Sequence, residues 1–219
     1  MKKKITAIFL CVALVAIAVV GASLAYFTDT KSAENTFTVG NVAIKLDETN
    51  ITNPEGARVT SNTYTGVTPG VSYTKDPIVT NTGANDAWVR LTVTVENGMN
   101  WLGLYNENVW TAPQEEAFMA MINETLGDKW SLENIAYVSN ATRGTTDFVA
   151  TLKYAEKLPA GEATTAAFSE IILPATATAS DITTRISQNG QFHIDVIAEA
   201  IQADTFGTWE DAFTAFDGQ

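Results

Sequence analysis

The chain has 219 residues, 46% of them hydrophobic and only 17% charged, which is enough for one generous domain with a real core. Its formal net charge is −12. Without residues 1–25, which hold three lysines and no acid, 10 basic residues face 25 acidic ones, a net of −15. A chain this acidic repels phosphate backbones, so nucleic acid is excluded as a partner.

The N-terminus reads first. Met1-Lys2-Lys3-Lys4 is a basic start, Ile5 to Val20 an apolar run interrupted only by Thr6 and Cys11, and Gly21 to Ala25 a small-residue exit. This order predicts a signal peptide over residues 1–25. Ser23 and Ala25 stand third and first before the cut, and Tyr26 is the first mature residue. The alternative is an uncleaved anchor, because the run approaches the ~20 residues that span a bilayer. No second run of this kind follows, so no membrane association is expected after cleavage. Cys11 is the only cysteine and lies too early in the leader for a lipid anchor. The mature chain would therefore have neither a disulfide nor a cysteine nucleophile.

After the leader, stretches with period two predict half-buried strands. Val89 to Glu96 puts its apolar residues on one face. Phe192 to Ala200 does the same with Phe192, Ile194, Val196, Ala198 and Ala200, while Ile197 and Ile201 make its other face partly apolar, as in a strand covered on both sides. Weaker candidates are 37–46, 71–80, 147–154 and 163–173. Turn signals separate them at Asn53-Pro54-Glu55-Gly56, Pro69-Gly70, Asn81-Thr82-Gly83, Pro159-Ala160-Gly161 and Asn189-Gly190. Pro113 to Gly127 reads as a helix, with proline in its first turn and Phe118, Met121, Ile122 and Leu126 on one stripe. Thr208 to Phe213 begins with a capping-box pattern and predicts a second, short helix. The expected fold is mainly β, a jelly-roll-like β-sandwich with one or two short helices, as a single domain over 26–219.

Catalytic patterns are scarce. His193 is the only histidine, so H-E-x-x-H cannot be built, and neither G-x-S-x-G nor a phosphate-binding glycine loop occurs. The paired carboxylates Glu115-Glu116 and Glu210-Asp211 are adjacent on predicted helices and point different ways. No catalytic, metal or cofactor residue is assigned, and the chain reads as a non-enzyme. Trp101, Tyr105 and Trp110 are dense enough for a stacking surface, although core packing explains them more simply.

Three segments carry a resemblance. Gly21-Ala22-Ser23-Leu24-Ala25-Tyr26-Phe27-Thr28-Asp29-Thr30-Lys31, followed by Asn35-Thr36-Phe37-Thr38-Val39-Gly40-Asn41-Val42, is similar to the start of the TasA/camelysin family, secreted proteins whose leaders are cut by a SipW-type signal peptidase. Val67-Thr68-Pro69-Gly70 through Asn81-Thr82-Gly83 to Ala87-Trp88-Val89-Arg90 resembles a block of the same family, as do Ala198 to Asp204 and Trp209 to Phe213. Residues 97–165 match no part of it.

The resemblance implies a secreted structural protein of the biofilm matrix or cell surface of a Gram-positive bacterium. Such proteins assemble into fibres in which the N-terminal segment of one subunit completes the sheet of the next. On this chain the donor would be Tyr26, Phe27, Thr28, Asp29, Thr30 and Lys31. The implied partners are further copies in a head-to-tail polymer, the SipW-type peptidase during export, and other matrix proteins. A strand donated head to tail does not close on itself, so it yields a filament. Two alternatives stand beside this reading: a monomeric surface adhesin, with residues 97–135 as its binding insertion, and a metallopeptidase, as the camelysin branch is described.

Overall fold

The computed structural model describes residues 28–32 and 35–36 as strands, and residues 42–98, 125–142, 144–172, 175, 178 and 193–218. The leader, the cut site at Ser23, Ala25 and Tyr26, the donor residue Phe27, most of the helix expected from Pro113, and Trp101, Tyr105 and Trp110 lie outside the described residues.

The described fold is mainly β and its strands pair antiparallel, as expected. In chain order the strands are β1 (Thr28–Ser32), β2 (Asn35–Thr36), β3 (Ile44–Asp47), β4 (Ser72–Thr74), β5 (Ile78–Asn81), β6 (Ala87–Val95), β7 (Trp130–Asn140), β8 (Thr145–Tyr154), β9 (Glu170–Ile172) and β10 (Ile194–Gln202). A short 3-10 turn, Ala203–Thr205, leads to the helix α1, Trp209–Asp217. Six strands form one sheet in the order β2-β1-β10-β6-β8-β7, while β3 pairs with β5 and β4 with β9.

The centre of the sheet is β6, and its alternation is why. Ala87, Val89, Leu91 and Val93 point inward and are buried with Ala150 and Leu152 of β8 and Ala198 and Ala200 of β10. Val42, Ile44, Leu46 and Val79, on and beside β3 and β5, close the same core from the opposite side. The result is a sandwich of unequal layers. Burying a leucine such as Leu91 contributes roughly 1.5–3 kcal/mol.

The other face of β6 carries Trp88 and Arg90, and α1 packs there. Trp88, Ile201, Trp209, Ala212 and Phe213 make a second core, so β10 is covered on both sides, as Ile197 and Ile201 suggested. Thr208 caps the helix, its hydroxyl accepting from the Asp211 N–H at 3.1 Å. A nine-residue helix is marginal alone, and tertiary contacts hold it. Trp209 Nε1 donates to the Val89 carbonyl at 2.8 Å. Arg90 donates from Nε to Glu199 at 2.6 Å and as a fork to both Asp217 oxygens at 2.8 Å. The guanidinium also lies 4.4 Å over the Phe213 ring. Asp217 sits at the unfavourable negative end of the helix dipole, and Arg90 neutralises it there.

Three expectations shift. The stretch 71–80 is two strands rather than one, interrupted at Lys75-Asp76-Pro77, because Pro77 has no N–H for a ladder and Lys75 and Asp76 turn into a polar network. The stretch 163–173 shrinks to β9, with one isolated bridge between Thr80 and Ala163. Strand β7, eleven residues long, was not read from the sequence. Its core-facing residues are Trp130 and Leu132, then Ile135 and Tyr137 after a bulge between Leu132 and Asn134. That extra residue breaks the period of two and hides the strand.

Candidate functional site

Two places concentrate features beyond packing. The first is the N-terminal strand. Thr28, Asp29, Thr30 and Lys31 lie in β1, opposite Ile201, Ala200, Glu199 and Ala198 of β10 in the same chain. Strand β10 pairs along nine positions with β6, so β1 occupies its outer edge. Beyond β1 the sheet continues only through the two-residue β2 among the described residues.

The second is a polar cluster at the end of β3, beside β4 and β5. Strand β3 delivers Asp47, and Glu48 follows it, fixed by backbone bonds in both directions to Val59 at 2.8 Å. That bridge brings Arg58 against β3. Arg58 Nε donates to Asp47 Oδ1 at 2.6 Å, Nη1 to Asp76 Oδ2 at 2.9 Å and to Thr49 Oγ1 at 3.1 Å. Its Nη2 donates to the carbonyls of Asp76 and Asp47 at 2.6 and 3.2 Å. Lys75 Nζ, itself buried, donates to Glu48 Oε2 at 2.8 Å, and Lys45 pairs with Asp47 at 2.6 Å. Three carboxylates thus face three cations.

Beside this cluster is a cleft of about 240 Å³ walled by Tyr64, Tyr73, Thr49 and Ile51. The two tyrosine rings meet edge to face at 6.0 Å. Tyr64 donates its hydroxyl to the Thr74 carbonyl, and Tyr73 accepts from the Thr68 N–H at 2.7 Å. Burial, with the charges of Glu48 and Asp76, pushes the Tyr64 phenol up to about 12, so it stays a neutral donor.

Burial raises the Asp76 carboxyl, but hydrogen bonds from Arg58 and Thr49 outweigh that and hold it below its ordinary value. The sign follows from linkage. A carboxylate with a lower pKa folded than unfolded stabilises the fold fully above its unfolded value, ~4, and loses that contribution as pH falls through the folded one. The melting temperature is expected to stay level between pH ~7 and ~5 and to drop below ~4. Asp76→Asn should flatten part of that acid limb. An acid limb identical in the variant would remove Asp76 from the account.

Residues 1–94 match the family model described as camelysin metallo-endopeptidase. Over that span, less than half of the chain, the sequence is similar to the camelysin family. The match runs from residue 1 into β6 and ends before residue 97, where the sequence resemblance also breaks off. The similar segments at Ala198 to Asp204 and Trp209 to Phe213 lie outside it. No curated protein and no solved structure matches the chain.

The family description points to peptidase activity and implies a metal, against the expectation of a non-enzyme. The donor set of this chain fits such a centre poorly. Its one histidine, His193, is exposed just before β10, and its one cysteine, Cys11, falls in the expected leader, outside the described residues. Asp47, Glu48 and Asp76 are each taken up by Arg58 or lysine. Among the described residues no group of three or more His, Cys, Asp or Glu is placed to hold a metal ion. Among the described residues, too, no helix is long and apolar enough to cross a membrane.

The members of the polar cluster were not picked out from the sequence. Asp47, Arg58 and Asp76 are 11 and 18 residues apart, and nothing in their local patterns links them.

Proposed function

We propose that this protein is a secreted structural subunit of an extracellular matrix or cell surface, and that it assembles into fibres by donating its N-terminal strand. The observation that carries this reading is the position of β1. It lies next to the edge of the sheet, followed only by the two-residue β2 among the described residues, and is joined to β10 through backbone pairs at Thr28 to Lys31. Pairs of this kind are indifferent to which chain supplies them, so the same segment from a neighbour fits the same edge. The family match over residues 1–94 supports the reading, because it includes the leader, β1 and the strands up to β6.

Removal of residues 1–25 by a SipW-type peptidase would leave Tyr26 at the start of the donor and restrict assembly to the outside of the cell. Fibre formation is expected from protein 26–219 and not from 33–219, compared by negative-stain microscopy at matched concentration over several days. A peptide spanning 26–36, added in excess, is expected to cap growth of the longer protein. If both proteins stay monomeric, fibre formation by this chain alone is wrong and the adhesin reading takes its place.

The metallopeptidase reading rests on the family description. Chelator-sensitive cleavage of casein by pure 26–219 would establish it and overturn the non-enzyme reading.

A further inference from the structure

Within the polar cluster, Glu48 does more than neutralise a lysine. Its two oxygens hold two different nitrogens, Lys75 Nζ at Oε2, 2.8 Å, and Asn62 Nδ2 at Oε1, 3.1 Å. Lys75 and Glu48 are 8% and 5% exposed, so the pair lies out of bulk water. The Asn62 amide is held in one orientation. Its Nδ2 also donates to the Thr49 carbonyl at 2.8 Å, and its Oδ1 accepts from the Ile51 N–H at 3.1 Å. A primary amine, a carboxamide and a carboxylate touching both nitrogens are the three groups that a side-chain transamidation needs.

We propose that Lys75 and Asn62 become joined by a side-chain amide bond, with Glu48 as the catalytic residue that moves the protons. Proton transfer within the Lys75–Glu48 pair leaves a neutral amine and a carboxylic acid. The Lys75 amine then attacks Cγ of Asn62, forming the Nζ–Cγ bond. Negative charge gathers on Oδ1, where the Ile51 N–H already points. Glu48 takes a proton from Nζ and delivers one to Nδ2, the Cγ–Nδ2 bond breaks, and ammonia leaves, carrying off the remaining proton as ammonium. No oxidant or cofactor is consumed.

The backbone bridge between Glu48 and Val59 and the bond from the Lys75 N–H to the Ser169 carbonyl at 3.1 Å hold the elements carrying these groups. Proximity of this kind is the main requirement for an otherwise slow amide exchange. The product would close the segment from 62 to 75, which carries Tyr64 and β4, and give a chain with no cysteine after its leader a covalent brace.

The test is a tryptic digest of the purified full chain, read by mass spectrometry, which does not depend on where the N-terminus lies. Trypsin cuts after Arg58, Lys75 and Arg90. The expected product is a peptide 59–90 uncut at Lys75, lighter than its sequence by one ammonia, with no fragment ions from between 62 and 75. Release of an unmodified peptide 59–75 overturns the proposal. Asn62→Ala provides the reference in which Lys75 is cut. Glu48→Gln is expected to abolish the cross-link, and a full yield of cross-link in that variant would overturn the role of Glu48. The wild-type digest decides the bond itself even if a variant fails to fold.

Discussion

Arg58→Ala is expected to lower the unfolding free energy by about 3 kcal/mol. The side chain ties its own segment to two others, at 47–49 and at Asp76. It bonds Asp47 at the end of β3, Thr49 beyond it, and both the carboxylate and carbonyl of Asp76 before β5. Its loss leaves the Asp47 carboxylate, 6% exposed, with only Lys45, whose own side chain is largely in solvent. A buried charge stripped of its partner costs more than the pair contributes, and that asymmetry sets the size of the effect. Arg58→Lys is expected to recover only part of the loss, since a single ammonium cannot reach five acceptors in different directions. Urea unfolding should show a lower midpoint with an unchanged slope. A loss below ~1 kcal/mol would mean that the cluster behaves as a solvated surface.

Trp209→Ala is expected to cost about 4 kcal/mol and to release the C-terminal helix. The indole is 6% exposed, lies 4.6 Å from the Phe213 ring, and donates to the Val89 carbonyl inside the sheet. Truncation opens a cavity between Trp88, Ile201 and Phe213 and leaves the carbonyl without this donor. Trp209→Phe keeps most of the apolar surface and loses only the N–H, so its expected cost is about 1–2 kcal/mol. The difference between the two variants separates packing from the hydrogen bond. Limited proteolysis reports release of the helix directly, as cutting within 209–217 in the alanine variant at denaturant concentrations where the wild type resists. Equal losses from both variants would mean that the hydrogen bond, not the packing, anchors α1.

The Ala87-Trp88-Val89-Arg90 stretch, part of the sequence resemblance, gains a physical meaning from this second core. Ala87 and Val89 face the main core, Trp88 faces α1, the Val89 carbonyl receives Trp209, and Arg90 binds Asp217. Four consecutive residues thus serve both layers, and substitutions among them report on stability.

Strands β6 and β10 were legible in the sequence because most of their apolar residues recur every second position, β8 more weakly over 147–154, and α1 because Thr208 and its acidic first turn announce a helix start. The turns at Pro69-Gly70 and Pro159-Ala160-Gly161 were legible because both glycines need a positive φ, 75° and 81°. The expected leader and the family likeness over residues 1–94 were also legible in the sequence, since both are patterns of consecutive residues. Strand β7 escaped because a single bulge shifts its phase. The Arg58 cluster, the Arg90 clamp and the Lys75–Glu48–Asn62 group escaped for a different reason. The side chains bound by Arg58, Arg90 and Glu48 lie 9 to 127 residues away from them, and each is an ordinary polar residue in its own segment. Period and capping are local, so the chain by itself determined which segments form strands or a helix and where they turn. Which charges become buried together depends on strands brought side by side from distant parts of the chain, and only the tertiary structure decided that.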